Sequence, residues 1–222
     1  MKASALMLNP ELLEIILLSL EVSGIALAIA TAAGLPLGAF IGLKRFPGRG
    51  VIISLMNTFM GLPPVVVGLF LYLILSRSGP LGFMGLLYTP SAMIIAQSAL
   101  AFPIVISLSH SAIISVDPVI RQAALSLGAT QFQVTAAVIH EARYGILSAV
   151  VAAFGRVTAE VGAILIVGGN IAGFTRVMTT TIALETDKGN FELALALGVV
   201  LLAISLAINT ALHVMQKKGM AR

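Results

Sequence analysis

A chain of 222 residues with 59% hydrophobic and 10% charged side chains and a mean hydropathy of +1.07 lacks the polar surface that a water-soluble domain requires, so the solvent it is built for is a bilayer. Its net charge of +4 comes from thinly spread basic residues without an aromatic-interleaved stripe, which excludes a nucleic-acid partner. The absence of cysteine excludes disulfides and thiolate metal sites.

Hydropathy predicts an all-α, polytopic membrane protein with about five spans, at residues 12–43, 51–76, 90–115, 138–168 and 192–215. The first span exceeds the roughly 7–15 residues of a signal core and is preceded by Glu11 and Glu14 rather than a basic cluster, so it is read as a retained helix. It carries Gly34, Gly38 and Gly42, a four-residue spacing that admits a close helix neighbour. That neighbour lies either within the same subunit or across a dimer seam.

Pro36, Pro63, Pro64 and Pro103 fall inside predicted spans, where the backbone bond each removes must be replaced by protein or water. Bent or broken helices are expected there. Pro63 and Pro64, within Gly61-Leu62-Pro63-Pro64, form the strongest breaker and mark either a flexible segment near a pathway or a static kink. Residues 78–90, rich in Gly and Pro, read as an irregular external connection, either a short interfacial helix or a gate element.

Between the third and fourth spans Asp117 serves as an N-cap, Pro118 as the first helical residue and Gly128 as a left-handed stop, predicting a short helix over 118–127. Thr130 with Gln133 forms a capping box that starts the next helix. Ile120, Ala123, Ala124 and Leu127 make one apolar face, and Arg121 is the short helix's only charge. Such a face on a loop calls for a protein partner; an amphipathic helix lying on lipid would carry more basic residues.

In the fourth span Arg156 and Glu160 stand one turn apart and can pair, either as a structural pair or as part of a pathway. The external segment 169–191 offers Asn170, Thr175, Arg176, Thr179, Thr180, Thr181 and Lys188. This is either an ordinary loop or a place where a dianion finds donors with a positive bias.

Lys44, Arg45, Arg49, Arg121, Arg143, Lys217, Lys218 and Arg222 fall in alternate loops, against Lys2, Arg77, Arg176 and Lys188 on the other side. The positive-inside rule therefore predicts a multi-pass protein of the plasma membrane with its N-terminus outside and C-terminus in the cytoplasm. No catalytic centre is expected: there is no Gly-Lys-Ser/Thr phosphate loop and no nucleophile, histidine and acid set. His110, His140 and His213 are too widely spaced to suggest a metal site. No second domain or internal repeat is seen, which disfavours an inverted-repeat secondary transporter. A non-transporting assembly subunit would explain the packing glycines but not the short apolar helix.

Gln122-Ala123-Ala124, three residues and Gly128 resemble the cytoplasmic signature of ABC importer permeases, Glu-Ala-Ala, three residues, Gly, nine residues, Ile, one residue, Leu-Pro. Gln122 replaces the Glu, Val138 stands for the Ile, and His140-Glu141 for the Leu-Pro. The stretch Phe154-Gly155-Arg156-Val157-Thr158-Ala159-Glu160-Val161-Gly162-Ala163, the run from Gly168 to Thr180, and Gly189-Asn190-Phe191-Glu192 are similar to the molybdate and tungstate permeases, the tungstate branch most. Leu62-Pro63-Pro64 with Gly68 fits the same family's early core.

The resemblance covers about residues 12–213 and implies a type I ABC importer permease, one transmembrane domain over 1–222. It implies two copies of this chain in membrane lipid, two cytoplasmic ATPase subunits and an external binding protein that delivers the oxyanion. ATP and Mg would act on the ATPase, with no cofactor on this chain. It also makes Pro118, Ile120, Arg121, Gln122, Ala123, Ala124, Leu127 and Gly128 the coupling helix and its stop. Pro63, Pro64, Arg156, Glu160, Asn170, Thr175 and Arg176 are the candidates for pathway and gate.

Overall fold

The computed structural model describes residues 10–220, with side chains at 212, 213 and 215–220 left aside; Lys2 and Arg222 lie outside the described residues. The described residues form helices and no strands: α1 (Pro10–Leu43), α2 (Arg49–Met60), α3 (Pro64–Leu75), α4 (Pro90–Ile114), α5 (Pro118–Ser126), α6 (Gln131–Thr158), α7 (Gly162–Gly168), α8 (Met178–Asp187) and α9 (Phe191–Met220). By length and apolarity α1, α4, α6 and α9 can each cross a membrane, and α2 with α3 makes a fifth, bent candidate.

The centre of the fold is the pair α1 and α4, the most extensive helix contact among the described residues. The glycine row decides this pairing. A methyl on Gly34 would lie 2.9 Å from Val105 Cγ1, on Gly38 2.9 Å from the Ile106 carbonyl oxygen, and on Gly42 2.8 Å from Ile113 Cγ2. The row is thus used within the subunit, because only hydrogen at these positions lets the α4 backbone approach. Around it Ala26, Ala30, Ala101, Val105, Ala153 and Val157 form one buried cluster, and Val22, Met93, Ala96, Ala163 and Val167 belong to a second.

The prolines behave differently from one another. α1 runs through Pro36 and α4 through Pro103 without interruption. The predicted span 51–76 instead breaks, and α2 and α3 meet at 101°. Pro63 and Pro64 remove two successive amide donors, and each disfavours helical geometry in the residue before it. Pro63 accordingly takes φ −62°, ψ 124°. One proline in a packed helix is bridged by its neighbours, whereas two in series after a glycine are not.

The predicted span 138–168 also needs correction. Its helix begins earlier, at Gln131, and ends at Thr158; α7 follows as a separate seven-residue helix. The predicted connection 78–90 contains a 3-10 turn, Gly82–Met84, on which Phe83 is 84% exposed, and ends where Pro90 opens α4. Residues 169–191 are not simply a loop, because they contain α8, whose Met178, Thr179, Thr180 and Thr181 are buried. At its end Lys188 Nζ and Asn190 Nδ2 both donate to the Glu185 carboxylate at 2.8 Å and hold its pKa below the usual glutamate range.

The contact at Gly38 yields a paired test. Gly38→Ala should destabilise the protein by about 1–3 kcal/mol through overpacking against backbone. Gly24→Ala, whose new methyl meets nothing within 4 Å, should be neutral or slightly stabilising. Thermal unfolding of both variants in detergent measures the difference, and equal melting temperatures would rule out the close α1–α4 approach as the cause.

Candidate functional site

Two groups of predicted residues are separated in space: a short exposed helix at the basic end, and a junction of broken helices within the span.

The short helix is fastened at both ends. The Asp117 carboxylate accepts the Val119 amide at 2.9 Å. At the other end the Ala129 amide reaches the Ala124 carbonyl and the Gly128 amide the Leu125 carbonyl, both at 3.0 Å. Gly128 sits at φ 80°, and together these bonds make a Schellman stop. Two residues later the Thr130 amide donates to Gln133 Oε1 at 2.8 Å, and the Gln133 amide returns to Thr130 Oγ1 at 3.4 Å. α5 therefore passes into α6 with its turn geometry specified.

The apolar face differs from the predicted one. Ile120 and Ala124 are half-buried, in a helix that packs on α6. The exposed stripe runs through Val119 at 62% exposure, Ala123, and Leu127 at 88%, with Arg121 and Gln122 also exposed. Val119 escaped the sequence reading because position along the helix gives a face but not which side α6 covers. The four-residue spacing of 119, 123 and 127 was the available signal.

At the second group, two helix breaks lie side by side. α3 packs along α7 so closely that a methyl on Gly162 would lie 2.8 Å from Val65 Cγ2, and one on Gly68 2.8 Å from Ala163 Cα. Pro63 and Pro64 therefore adjoin the break that holds Glu160. The Arg156–Glu160 pair forms, with Nη1 3.3 Å from Oε2, but it spans the end of α6 rather than a continuous helix.

The Glu160 side chain is 2% exposed, and its carboxylate has a second duty. Oε1 accepts the Ala163 amide at 3.1 Å, capping the start of α7. Side chains also bond the backbone at the break: Thr179 Oγ1 donates to the Glu160 carbonyl at 2.8 Å, and Gln97 Nε2 donates at 3.0 Å to the Val157 carbonyl, which also accepts the Glu160 amide at 3.2 Å. Neither Gln97 nor Thr179 can be assigned this role from sequence spacing, since Gln97 acts across 60 residues.

Asn170, Thr175 and Arg176 lie beyond the far end of α7, whose seven residues separate them from the break by about 10 Å. Of the two readings of this segment, the one in which threonine hydroxyls donate to a dianion meets donors that are already engaged. Thr175 Oγ1 donates to the Gly168 carbonyl at 2.6 Å and accepts the Ile171 amide at 2.9 Å. Thr179, Thr180 and Thr181 likewise donate to backbone carbonyls. Asn170, at φ 51°, gives its carbonyl to Arg176 Nη2 at 3.4 Å. Arg176 also stands 3.9 Å from Glu11, and the 170 Å³ cavity beside it is lined by Glu11 and Glu14 as well. Two carboxylates against one guanidinium do not favour an anion.

No group of three His, Asp or Glu side chains suited to a metal occurs among the described residues.

Comparison with known proteins fits this geometry to a family. Residues 34–218 match the model described as binding-protein-dependent transport system inner membrane component. The chain belongs to that family. A probable anion ABC transporter permease protein of Haloferax volcanii is 48% identical over 203 residues, 89% of this chain and 88% of the relative. The tungstate uptake system permease protein TupB of Peptoclostridium acidaminophilum is 44% identical over 210 residues, 95% of this chain and 92% of the relative. The permease also superposes on a chain of the inward-facing MetNI methionine ABC transporter with TM-score 0.76 at 16% identity, covering 94% of this chain and 95% of that one. This establishes the type I importer permease fold in a multi-pass membrane protein.

The double role of Glu160 makes a specific prediction about stability. Glu160→Ala removes both the ion pair and the cap of α7 and should cost about 3–5 kcal/mol. Replacing both partners, Arg156→Gln with Glu160→Gln, strands no charge and keeps an acceptor for the Ala163 amide, so much of the loss should return. The double alanine variant should remain destabilised. Thermal unfolding in detergent compares them; a double alanine variant as stable as the unmodified permease would mean that the cap is dispensable.

Proposed function

We propose that this permease is the membrane-embedded subunit of an ATP-driven importer of tetrahedral oxyanions, tungstate first and molybdate next. The observation that carries the substrate is the 44% identity across 95% of the chain to a protein named as a tungstate uptake permease. In this reading two copies of the chain form the membrane unit and two ATPase subunits hold ATP and Mg on the cytoplasmic side. An extracytoplasmic binding protein delivers the ion, and this chain performs no chemistry of its own.

The exposed stripe of Val119, Ala123 and Leu127 supports α5, with Gly128 as its stop, as the element that seats in the ATPase. Small Ala123 admits close approach, and Arg121 and Gln122 flank the contact. The adjoining breaks at Pro63–Pro64 and Glu160 support a pathway along α3 and α7, since irregular backbone at membrane depth is tolerated only where protein or a water-lined route covers it. Asn170, Thr175 and Arg176 then fix the shape of the outer end more than they contact the ion.

Reconstituted with its ATPase and binding protein, the permease should accumulate tungstate in proteoliposomes only with hydrolysable ATP. Ala123→Glu places an unpaired carboxylate in the docking face, and Gly128→Val forces a β-branched residue to positive φ. Both should abolish ATP-driven uptake while the dimer still inserts. Uptake that survives a non-hydrolysable analogue would sink the ATP-driven reading, and uptake of amino acids or sugars alone would sink the oxyanion.

Orientation is tested separately, and the lack of native cysteine makes the test direct. Single cysteines at positions 80 and 188 should react with an impermeant reagent from outside the plasma membrane, and those at 47 and 122 should not. The reverse pattern would invert the topology.

A further inference from the structure

A cavity of about 760 Å³ opens where α1 ends, α2 begins and α4 hands over to α5; its lining includes Arg45, Arg49, Arg121 and Asp117. Three arginines thus line it with a single acidic residue, and the Asp117 carboxylate is engaged in capping α5 through the Val119 amide. Among the described residues none of the three arginines takes part in an ion pair.

Arg49 is the informative member. It is half-buried, its Nη2 lies 3.1 Å from His110 Nε2, and its Nε is buried with no hydrogen-bond partner. Arginine can only donate, so His110 accepts at Nε2 and carries its proton on Nδ1. The buried imidazole in this contact is therefore neutral and supplies no counter-charge. A partly desolvated guanidinium whose hydrogen-bonded partner is neutral is costly without a counter-anion.

We infer that this cavity is a binding site for a tetrahedral oxyanion, distinct from the helix breaks, with Arg45, Arg49 and Arg121 as its donors. Planar guanidiniums match such ions in pairs of parallel hydrogen bonds. The volume, many times the roughly 30 Å³ share of a water molecule, admits the ion with part of its hydration. That the ion is the transported one, held at the cytoplasmic mouth before release, rests on the proposed function; that the cavity binds an oxyanion does not. The phosphate of an anionic lipid headgroup offers the same chemistry, and the test separates the two sources.

Full-length permease in phosphatidylcholine nanodiscs, without ATPase or binding protein, is dialysed against tungstate and the bound metal measured by elemental analysis. Tungstate should bind and be displaced by sulfate. Arg49→Gln and Arg121→Gln should each weaken binding about tenfold, the loss expected for a charge-assisted pair. Arg77→Gln, an exposed change elsewhere, should leave it unchanged. Because Arg121 is exposed, its variant remains informative even if Arg49→Gln unfolds.

In a parallel arm with phosphatidylglycerol, suppression of tungstate binding together with Arg121-dependent retention of that lipid would keep the site and assign it to the headgroup. No tungstate bound in the phosphatidylcholine arm, or equal binding by the unmodified permease and Arg121→Gln, would overturn the proposal. Failure of tungstate uptake in the reconstituted transporter with binding intact here would remove the transport reading and leave the site standing.

Discussion

Open backbone in a bilayer has no water to satisfy it, and this constraint governs the permease more than any single packing contact. Two of its predicted spans are interrupted inside the hydrophobic stretch, at Pro63–Pro64 and at the end of α6. Glu160 bonds the backbone at the second of these breaks. Its carboxylate caps α7 at the Ala163 amide and neutralises Arg156, while its carbonyl is taken by Thr179. Gln97 reaches across from α4 to the Val157 carbonyl. A charged residue that looks misplaced in an apolar segment is what permits the segment to be discontinuous.

The breaks sit against a firm support. α1 and α4 approach closely along Gly34, Gly38 and Gly42, with Gly38 against the Ile106 backbone, and the alanine-rich cluster beneath joins them to α6. Close approach of this kind replaces the hydrophobic driving force that lipid does not provide between helices. Against that support α3 and α7 are short, and they interlock through glycines at 68 and 162. The division is between long helices that hold position and short ones whose ends carry the polar features.

At the opposite end the design is reversed, with polar punctuation outside and the apolar stripe exposed. The Asp117 cap, the Schellman stop at Gly128 and the Thr130–Gln133 box leave no unspecified turn between α5 and α6. In the proposed assembly, a displacement of α5 by an ATPase would act on α6 directly, since the turn between them is fixed by these bonds. The arginine-lined cavity lies at the other end of α5, where α4 hands over to it, bounded by Arg49 from α2 and Arg121 from α5.

Much of this was legible in the chain. Hydropathy gave the membrane class and the approximate spans because an apolar run long enough to cross a bilayer has few other uses. The short helix was readable because caps and stops are local: Asp117-Pro118, Gly128, and Thr130 with Gln133 need no distant partner to form. What the tertiary structure alone decided were the questions whose answers lie far away in sequence. Pro36 and Pro103 are absorbed while Pro63 and Pro64 break the chain, which depends on neighbours and on two lost donors in series. The glycine row faces α4 and not a second subunit. The threonines of 175–181 spend their hydroxyls on nearby carbonyls, because burying them in α8 and its approach leaves no water to satisfy those oxygens. Arg49 meets His110 across 61 residues, a contact that no spacing foretells, since only the packing of α2 against α4 brings the two side chains together.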